Sequence, residues 1–427
     1  MSQHVAVVGA GMVGLSTAWF LQEQGASVTV YERDHVAAGS SWGNAGWLTP
    51  ALTAPLPEPA VLTYGIRAVL SPSSPVYVPL RADPSLLRFL AGFARHSTAR
   101  KWGLGMRSYV PVNRLALEAF EQLVDTDVAA PTRSADPFLA CFRGSDEHAA
   151  LVEELEHIRA AGQDVKYDVL TADEARAAEP ALSTQVRSAV RLHGQRYLNP
   201  PAFMEALARA VRSRGGEIIE GTAVDDVLHR GGEVRLVTRA STPASSTLGQ
   251  AGISSTFDAV VIANGAWLSA LVRKFGVRRL VQAGRGYSFS VPAERVPAGP
   301  VYFPTQRVAC TPLDTPEGAR LRIAGMMEFR APDAALDRRR IRAIVEAARP
   351  LLHGVDLDRR TDEWVGSRPC TADGLPLVGA TTAPGVFVAG GHGMWGIALG
   401  PLTGKLLAHR IATGTTPAEL VPFDPLR

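Results

Sequence analysis

The sequence predicts an α/β fold around a doubly wound, mostly parallel sheet. Three segments carry this reading: a strand, glycine turn, helix and strand over residues 5–31, a buried strand ending in a small-residue turn at 257–267, and a strand and Gly-rich turn opening a helix at 386–413. In the first, Val5, Ala6, Val7 and Val8 form the all-apolar run of a strand buried on both faces. It leads into Gly9, Gly11 and Gly14 at G-x-G-x-x-G spacing, after which Leu15, Ala18, Trp19 and Leu21 recur at helical spacing until Gly25. Val28 to Tyr31 reads as the second strand. Gly9 permits the tight turn, Gly11 lets backbone approach a pyrophosphate, Gly14 allows close helix packing, and the helix N-terminus faces the phosphate charge. Glu32 ends the second strand, where a carboxylate accepts hydrogen bonds from a ribose diol and repels a 2′-phosphate. The segment is a Rossmann-like unit for an adenine dinucleotide without that phosphate.

The two later segments favour FAD over NAD. Residues 257–263 form another buried strand, ending at Asn264, Gly265, Ala266 and Trp267, a turn where backbone can lie against a planar ligand. Residues 386–389 lead into Gly390, Gly391, His392, Gly393, Met394, Trp395 and Gly396, then a helix from about Ile397 to Thr413. The N-terminus of that helix suits the anionic locus of a reduced flavin, a use that NAD does not require.

Composition removes other classes. At 427 residues the chain is long enough for two or three domains or one interleaved unit, and 46% apolar with 20% charged residues excludes disordered and fibrous proteins. Lys plus Arg at 44 against Asp plus Glu at 41 is too balanced for a nucleic-acid surface. The three cysteines, Cys141, Cys310 and Cys370, are scattered without metal-ligand spacing, so no metal is expected and a reducing location is. With no signal peptide and no span of about 18 apolar residues, the reading is cytoplasmic.

Residues 50–84 hold eight prolines and read as an ordered loop. Residues 84–117 contain no acid, while Arg88, Arg95, Arg100, Lys101, Arg107 and Arg114 alternate with Leu86, Leu87, Phe89, Leu90 and Phe93. They read as one basic amphipathic helix, either a core-facing stripe with a solvated arginine face or a peripheral contact with an anionic membrane near a quinone pool. A helix opens at Pro200, strands follow near 217–221 and 234–238, and 241–256 reads as a mobile hairpin loop. Residues 337–342 open an Arg-rich helix with a solvated face and Ile341, Ile344 and Val345 inward.

Residues 9–14, Glu32 and Arg33, the turn at 40–46 (Ser40, Ser41, Trp42, Gly43, Asn44, Ala45, Gly46), Asn264 to Trp267, Trp364 to Pro369 with Asp373 and Gly374, and Gly391 to Gly393 together resemble the D-amino-acid oxidase superfamily of FAD oxidoreductases, and most closely its bacterial D-amino-acid dehydrogenase branch. The resemblance implies a two-domain flavoprotein: a glutathione-reductase-like FAD-binding domain of residues 1–50, 196–268 and 366–427, and a discontinuous α+β substrate domain of 51–195 and 269–365 on a large mixed or antiparallel sheet. It implies FAD contacts from Gly9, Gly11, Met12, Val13, Gly14, Glu32, Arg33, Ser40, Ser41, Asn44, Ala45, Gly46, Leu48, Val224, Asn264, Gly265, Trp267, Gly391, Gly393, Met394, Trp395, Gly396 and Ile397. Some relatives attach flavin through a His two residues before the Ala-Gly pair of the early turn, or through a Cys before the Asp-Gly segment. Here Gly43 holds the first position and Cys370 follows Pro369 at a different spacing, so a noncovalent flavin is expected.

The same resemblance maps the arginine that holds a substrate carboxylate onto Arg368. A guanidinium offers a planar two-pronged donor that Lys cannot reproduce; a structural salt bridge is the alternative. Tyr287 is expected either to help bind the carboxylate or gate the pocket, or to be a core tyrosine bonded to backbone. His392 is expected to touch flavin or a polar substrate group, or to cap the following helix. The implied reaction is oxidation of a D-amino acid to an imino acid, with electrons passing to a quinone or other carrier. A glycine-, sarcosine- or hydroxyproline-type amine oxidase, or a flavoprotein acting on a larger biosynthetic amino acid, remains open.

Overall fold

A computed structural model describes residues 3–59, 76–78, 83–241, 252–254, 256–315 and 318–427. A six-stranded sheet runs in the order Glu217–Ile219, Ser27–Tyr31, His4–Val8, Ala259–Ile262, Val386–Gly390 and Leu377–Ala380, parallel except for the last pair. The three strands that precede glycine-containing turns are thus adjacent, and their turns gather at one edge, the carboxyl ends where such sheets bind ligands.

Helix Met12–Glu23 is buried along its length and packs against Gly396–Thr413 and Pro200–Ser213. The close crossing with Gly396–Thr413 depends on Gly404, where an added Cβ would stand 2.6 Å from the Thr17 backbone nitrogen. Apolar side chains of all three helices and of the sheet share one core, with Trp19, Leu15, Phe203, Leu207 and Leu407 inaccessible.

The second, nine-stranded sheet is mostly antiparallel. Its strands run Thr361–Thr371, Val281–Pro292, Gly318–Phe329, Val308–Thr315, Val301–Phe303, Phe138–Phe142, Ser188–Leu192 and Tyr167–Thr171, with Val76–Tyr77 beside Gly318–Phe329. This is the mixed sheet expected of the second unit. Thr361–Thr371 crosses residue 366 without a break, so Arg368 stands on the larger sheet while His392, just beyond the smaller one, faces it through a bridge to Cys370.

Several expectations are corrected. The basic segment 84–117 is two helices, Pro84–His96 and Ala99–Thr126. Ser97 ends the first by donating its hydroxyl to the Phe93 carbonyl at 2.9 Å, and Thr98 caps the second by accepting from Lys101 N. Leu86, Phe89 and Phe93 face a core with Met327, Phe329 and Cys370, so the stripe is core-facing. Within 241–256, Gly252–Ile253 pairs with Glu233–Ala240, so this part is a strand; 242–251 and 255 lie outside the described residues. The expected proline-rich loop contains a helical turn at Pro50–Leu52 and the strand Val76–Tyr77, while 60–75 and 79–82 lie outside the described residues. In helix Arg338–Ala348, Arg340 is buried against Glu328 rather than solvated. Among the described residues no helix is long and apolar enough to cross a membrane.

Gly404→Ala is expected to destabilise the fold by about 1–3 kcal/mol, because backbone must yield to the new methyl. Gly103→Ala, at a half-buried helix position where an added Cβ meets nothing among the described residues within 4 Å, is expected to be neutral or stabilising in the same urea titration.

Candidate active site

The turns at the edge of the six-stranded sheet enclose a cavity of about 310 Å³ that extends from Glu32 and Val224 to Arg368 and His392. At one end the glycine turn is drawn tight. Gly9, at φ 108°, donates its N–H to the Tyr31 carbonyl, and a Cβ on Gly14 would lie 1.9 Å from the Gly9 oxygen. Glu32 accepts from Ala10 N at 2.8 Å and Asp34 N at 3.0 Å, which aims its carboxylate along the cavity wall. Arg33 lies 4.2 Å over the Trp267 ring, whose Nε1 donates to Asp333.

The turn at 40–46 forms the middle of the wall and is stitched to the larger sheet. Ser41 Oγ accepts from Met12 N at 3.1 Å, Ser288 Oγ donates to the Gly43 carbonyl and Thr311 Oγ1 to the Ala45 carbonyl, both at 2.7 Å. Asn44 Oδ1 accepts from Gly46 N at 2.9 Å and holds the turn closed. Opposite, helix Gly396–Thr413 presents its N-terminus, with no side-chain cap, through Gly396 and Ile397.

The far end carries the titratable groups. Protein encloses Arg368 except where it lines the cavity, and burial holds its pKa below the ordinary arginine value. Its Nη1 donates to the Met326 carbonyl at 2.8 Å; among the described residues it has no carboxylate partner. His392 is buried, with Nε2 2.9 Å from Thr403 Oγ1, and burial pushes its pKa down to about 4. It is therefore neutral at pH 7, and its Nδ1 has no partner among the described residues. Asn264 Oδ1, also in the wall, is buried and likewise has no partner among them. Buried polar atoms left unpaired are costly, so this wall suits a polar ligand.

A family profile described as FAD dependent oxidoreductase, DAO, matches residues 4–410. The chain belongs to the DAO family. This DAO-family oxidoreductase is 30% identical over 417 residues to the D-amino acid dehydrogenase of Cereibacter sphaeroides, covering 96% of this chain and 91% of that one. It is 27% identical to the D-amino acid dehydrogenase of Agrobacterium fabrum, over 96% of both chains. Its fold is similar to glycine oxidase from Bacillus cereus, with TM-score 0.70 and 22% identity over 99% of this chain and 98% of that one. It also resembles L-proline dehydrogenase from P. horikoshii, with TM-score 0.69 and 18% identity over 100% and 97%.

The cavity of this DAO-family oxidoreductase fits FAD. Of the residues predicted from sequence, Gly9, Gly11, Met12, Val13, Glu32, Arg33, Ser40, Ser41, Asn44, Val224, Asn264, Gly265, Trp267, Arg368, His392, Gly393, Met394, Gly396 and Ile397 line it. Gly14, Ala45, Gly46, Leu48, Gly391 and Trp395 stand behind the wall. Gly46 packs on the Leu198 carbonyl, Leu48 is in the core, Gly391 packs on Thr371, and Trp395 Nε1 donates to the Ala54 carbonyl at 2.7 Å. His392 does not cap the following helix.

Tyr287 is corrected. Its strand alternates, so Gly286 shares a face with Arg368 and Tyr287 points the other way, donating to Glu328 Oε2 at 2.6 Å in a buried cluster with Arg285. Ser367 and Pro369, which flank Arg368 in the wall, were missed, although their place beside the G-x-R-P arginine is a usable signal. Ser367 Oγ donates to the Pro332 carbonyl at 2.9 Å.

The unfolded histidine titrates near 6.5, so between that value and about 4 the unfolded chain binds more protons than the fold does. The contribution of His392 is complete above about pH 6.5 and is lost as pH falls toward 4, roughly 3 kcal/mol in all. His392→Asn is expected to flatten the acid limb of urea-unfolding free energy against pH by that order; an unchanged limb would exclude a neutral buried histidine.

Proposed function

We propose that this DAO-family oxidoreductase is a D-amino-acid dehydrogenase. The observation that carries the reading is Arg368, an enclosed guanidinium without an acidic partner among the described residues, at the end of a dinucleotide-shaped cavity. A cation so placed favours an incoming carboxylate, and its planar donors hold the α-carbon in one orientation. When bound, FAD supplies the two-electron acceptor. The enclosing wall keeps water from the α-carbon, and neutral His392 offers Nδ1 to a polar group without competing for the carboxylate. With the amine neutral on arrival, no protein base is required: loss of hydride from the α-carbon and a proton from nitrogen gives the imino acid, which water hydrolyses to a 2-oxo acid and ammonia. The relatives named D-amino acid dehydrogenase support this reaction class.

FAD is held noncovalently on this reading, as Gly43 has no nucleophile and the Cys370 thiol is buried, pushed up to about 12, and outside the cavity wall. The cofactor unit comprises 1–50, 196–268 and 372–427, and the substrate unit 51–195 and 269–371; the boundary expected at 366 moves because the strand Thr361–Thr371 belongs whole to the larger sheet. Electrons pass to a quinone or similar carrier. A membrane-facing role for the basic helices is supported by exposed Leu87 and Leu104 among exposed Arg88, Arg95, Arg100 and Arg107. Pelleting with anionic but not neutral vesicles is the expected result, and absence from both pellets would remove the membrane contact.

Anaerobic titration of the purified protein with D-proline, D-alanine, their L-enantiomers, glycine and sarcosine tests the reaction. Bleaching of flavin absorbance by D-enantiomers alone is expected, whereas bleaching only by glycine or sarcosine would assign an amine oxidase of that type. Arg368→Met is expected to weaken amino-acid affinity by about 2–4 kcal/mol, the loss typical of a desolvated charge pair; unchanged affinity would remove the clamp. Acid precipitation is expected to leave the yellow colour in solution.

A further inference from the structure

Three contacts surround the Arg368 guanidinium within the protein itself. Nη1 donates to the Met326 carbonyl at 2.8 Å and lies 3.8 Å from Met327 Sδ. The group lies against Gly286, where an added Cβ would stand 2.2 Å from Nη2 and 2.4 Å from Cζ. Among the described residues no acceptor is bonded to Nε or Nη2.

The backbone beneath is irregular here. Arg285 pairs with Glu328 and Tyr287 with Gly325, so Met326 and Met327 together oppose Gly286, a bulge with one extra residue. Met326 holds φ at 68°, the left-handed region that a side chain disfavours. A regular ladder spends each carbonyl on the neighbouring strand; a bulge releases one, and here the Met326 carbonyl turns to the arginine. The strained residue, the extra residue and the missing side chain thus converge on one guanidinium, the pattern of local strain maintained for a site.

Resting on the reading of Arg368 as the carboxylate clamp, we propose that Met326 and Gly286 are positioning residues that commit Nη1 to the protein and present the Nε and Nη2 edge to the substrate. A guanidinium has two edges able to meet a carboxylate with paired hydrogen bonds, and occupation of Nη1 removes the end-on edge. The carboxylate then docks side-on, with its α-carbon in a single direction.

Gly286→Ala tests this directly, because the new methyl meets the mobile end of a side chain and the fold can yield by moving Arg368. In the holoenzyme, propionate and uncharged propionamide are titrated calorimetrically, and KM and kcat are measured with whichever amino acid bleaches the flavin. The expected result is wild-type FAD content, propionate affinity down about tenfold or more, propionamide affinity unchanged, and a rise in KM larger than the fall in kcat. Wild-type propionate affinity in folded Gly286→Ala would overturn the proposal. Met326→Gly, which adopts the left-handed region freely, is expected to weaken propionate binding less than Met326→Val, which does not. Equal effects would overturn the role of the bulge, and this comparison decides the matter if Gly286→Ala fails to fold. Arg368→Met separates the two readings: propionate affinity unchanged there removes the clamp itself, whereas affinity lost there but kept in Gly286→Ala removes only the positioning.

Discussion

An enclosed cation, Arg368, without a counter-charge among the described residues is the constraint around which this end of the molecule is arranged. Removing a guanidinium from water is unfavourable unless something replaces its hydration. Here the replacement is partial: one carbonyl and one sulfur contact Nη1, and the residue lines a cavity. The surrounding sheet must therefore be stiff enough to hold the group where a ligand completes its solvation. The antiparallel pairing of Thr361–Thr371 with Val281–Pro292, and of the latter with Gly318–Phe329, supplies that stiffness.

On the opposite face of the same strands, a second set of charged groups gathers around one buried carboxylate. Glu328 receives Arg285, Arg330 and Arg340 at 3.4–3.7 Å, and Tyr287 donates to it at 2.6 Å. Arg285 also donates to the Ala334 and Ala335 carbonyls, which ties the following segment to the sheet. Burial, and after it the Glu328 carboxylate, raises the Tyr287 pKa, so its phenol stays a donor. One sheet thus turns Arg368 to the cavity on one face and gathers arginines around Glu328 on the other, a difference set by strand alternation.

The cofactor half was legible in the sequence because its signals are local. Gly14 and Glu32 act within one strand, turn, helix and strand, and Gly9 bonds the Tyr31 carbonyl of the same unit although its missing side chain also makes room for Ala263. The substrate half depends on pairing across strands distant in the chain, which residue order alone does not reveal. Tyr287 and Gly286 are adjacent in sequence, yet register with Arg368 sends them to opposite faces. The residues behind the wall show the same limit: Trp395 follows Met394 directly, but its ring turns to the Ala54 carbonyl. The division of the basic segment into two helices was carried by the Ser97 and Thr98 pair, a capping signal outweighed by the continuous run of apolar and basic residues.

The order of strands in the smaller sheet has a consequence for how the chain acquires its shape. His4–Val8 pairs with Ala259–Ile262, which pairs in turn with Val386–Gly390, and Met12–Glu23 is sealed by Gly396–Thr413. During synthesis the glycine turn emerges long before its covering helix, so the nascent cradle stays uncovered while the stretch between them is made. Such long sequence separations slow folding and leave apolar strands exposed meanwhile. Two segments far apart in the chain, Met12–Glu23 and Gly396–Thr413, are accordingly packed directly on one another, and neither can be completed without the other.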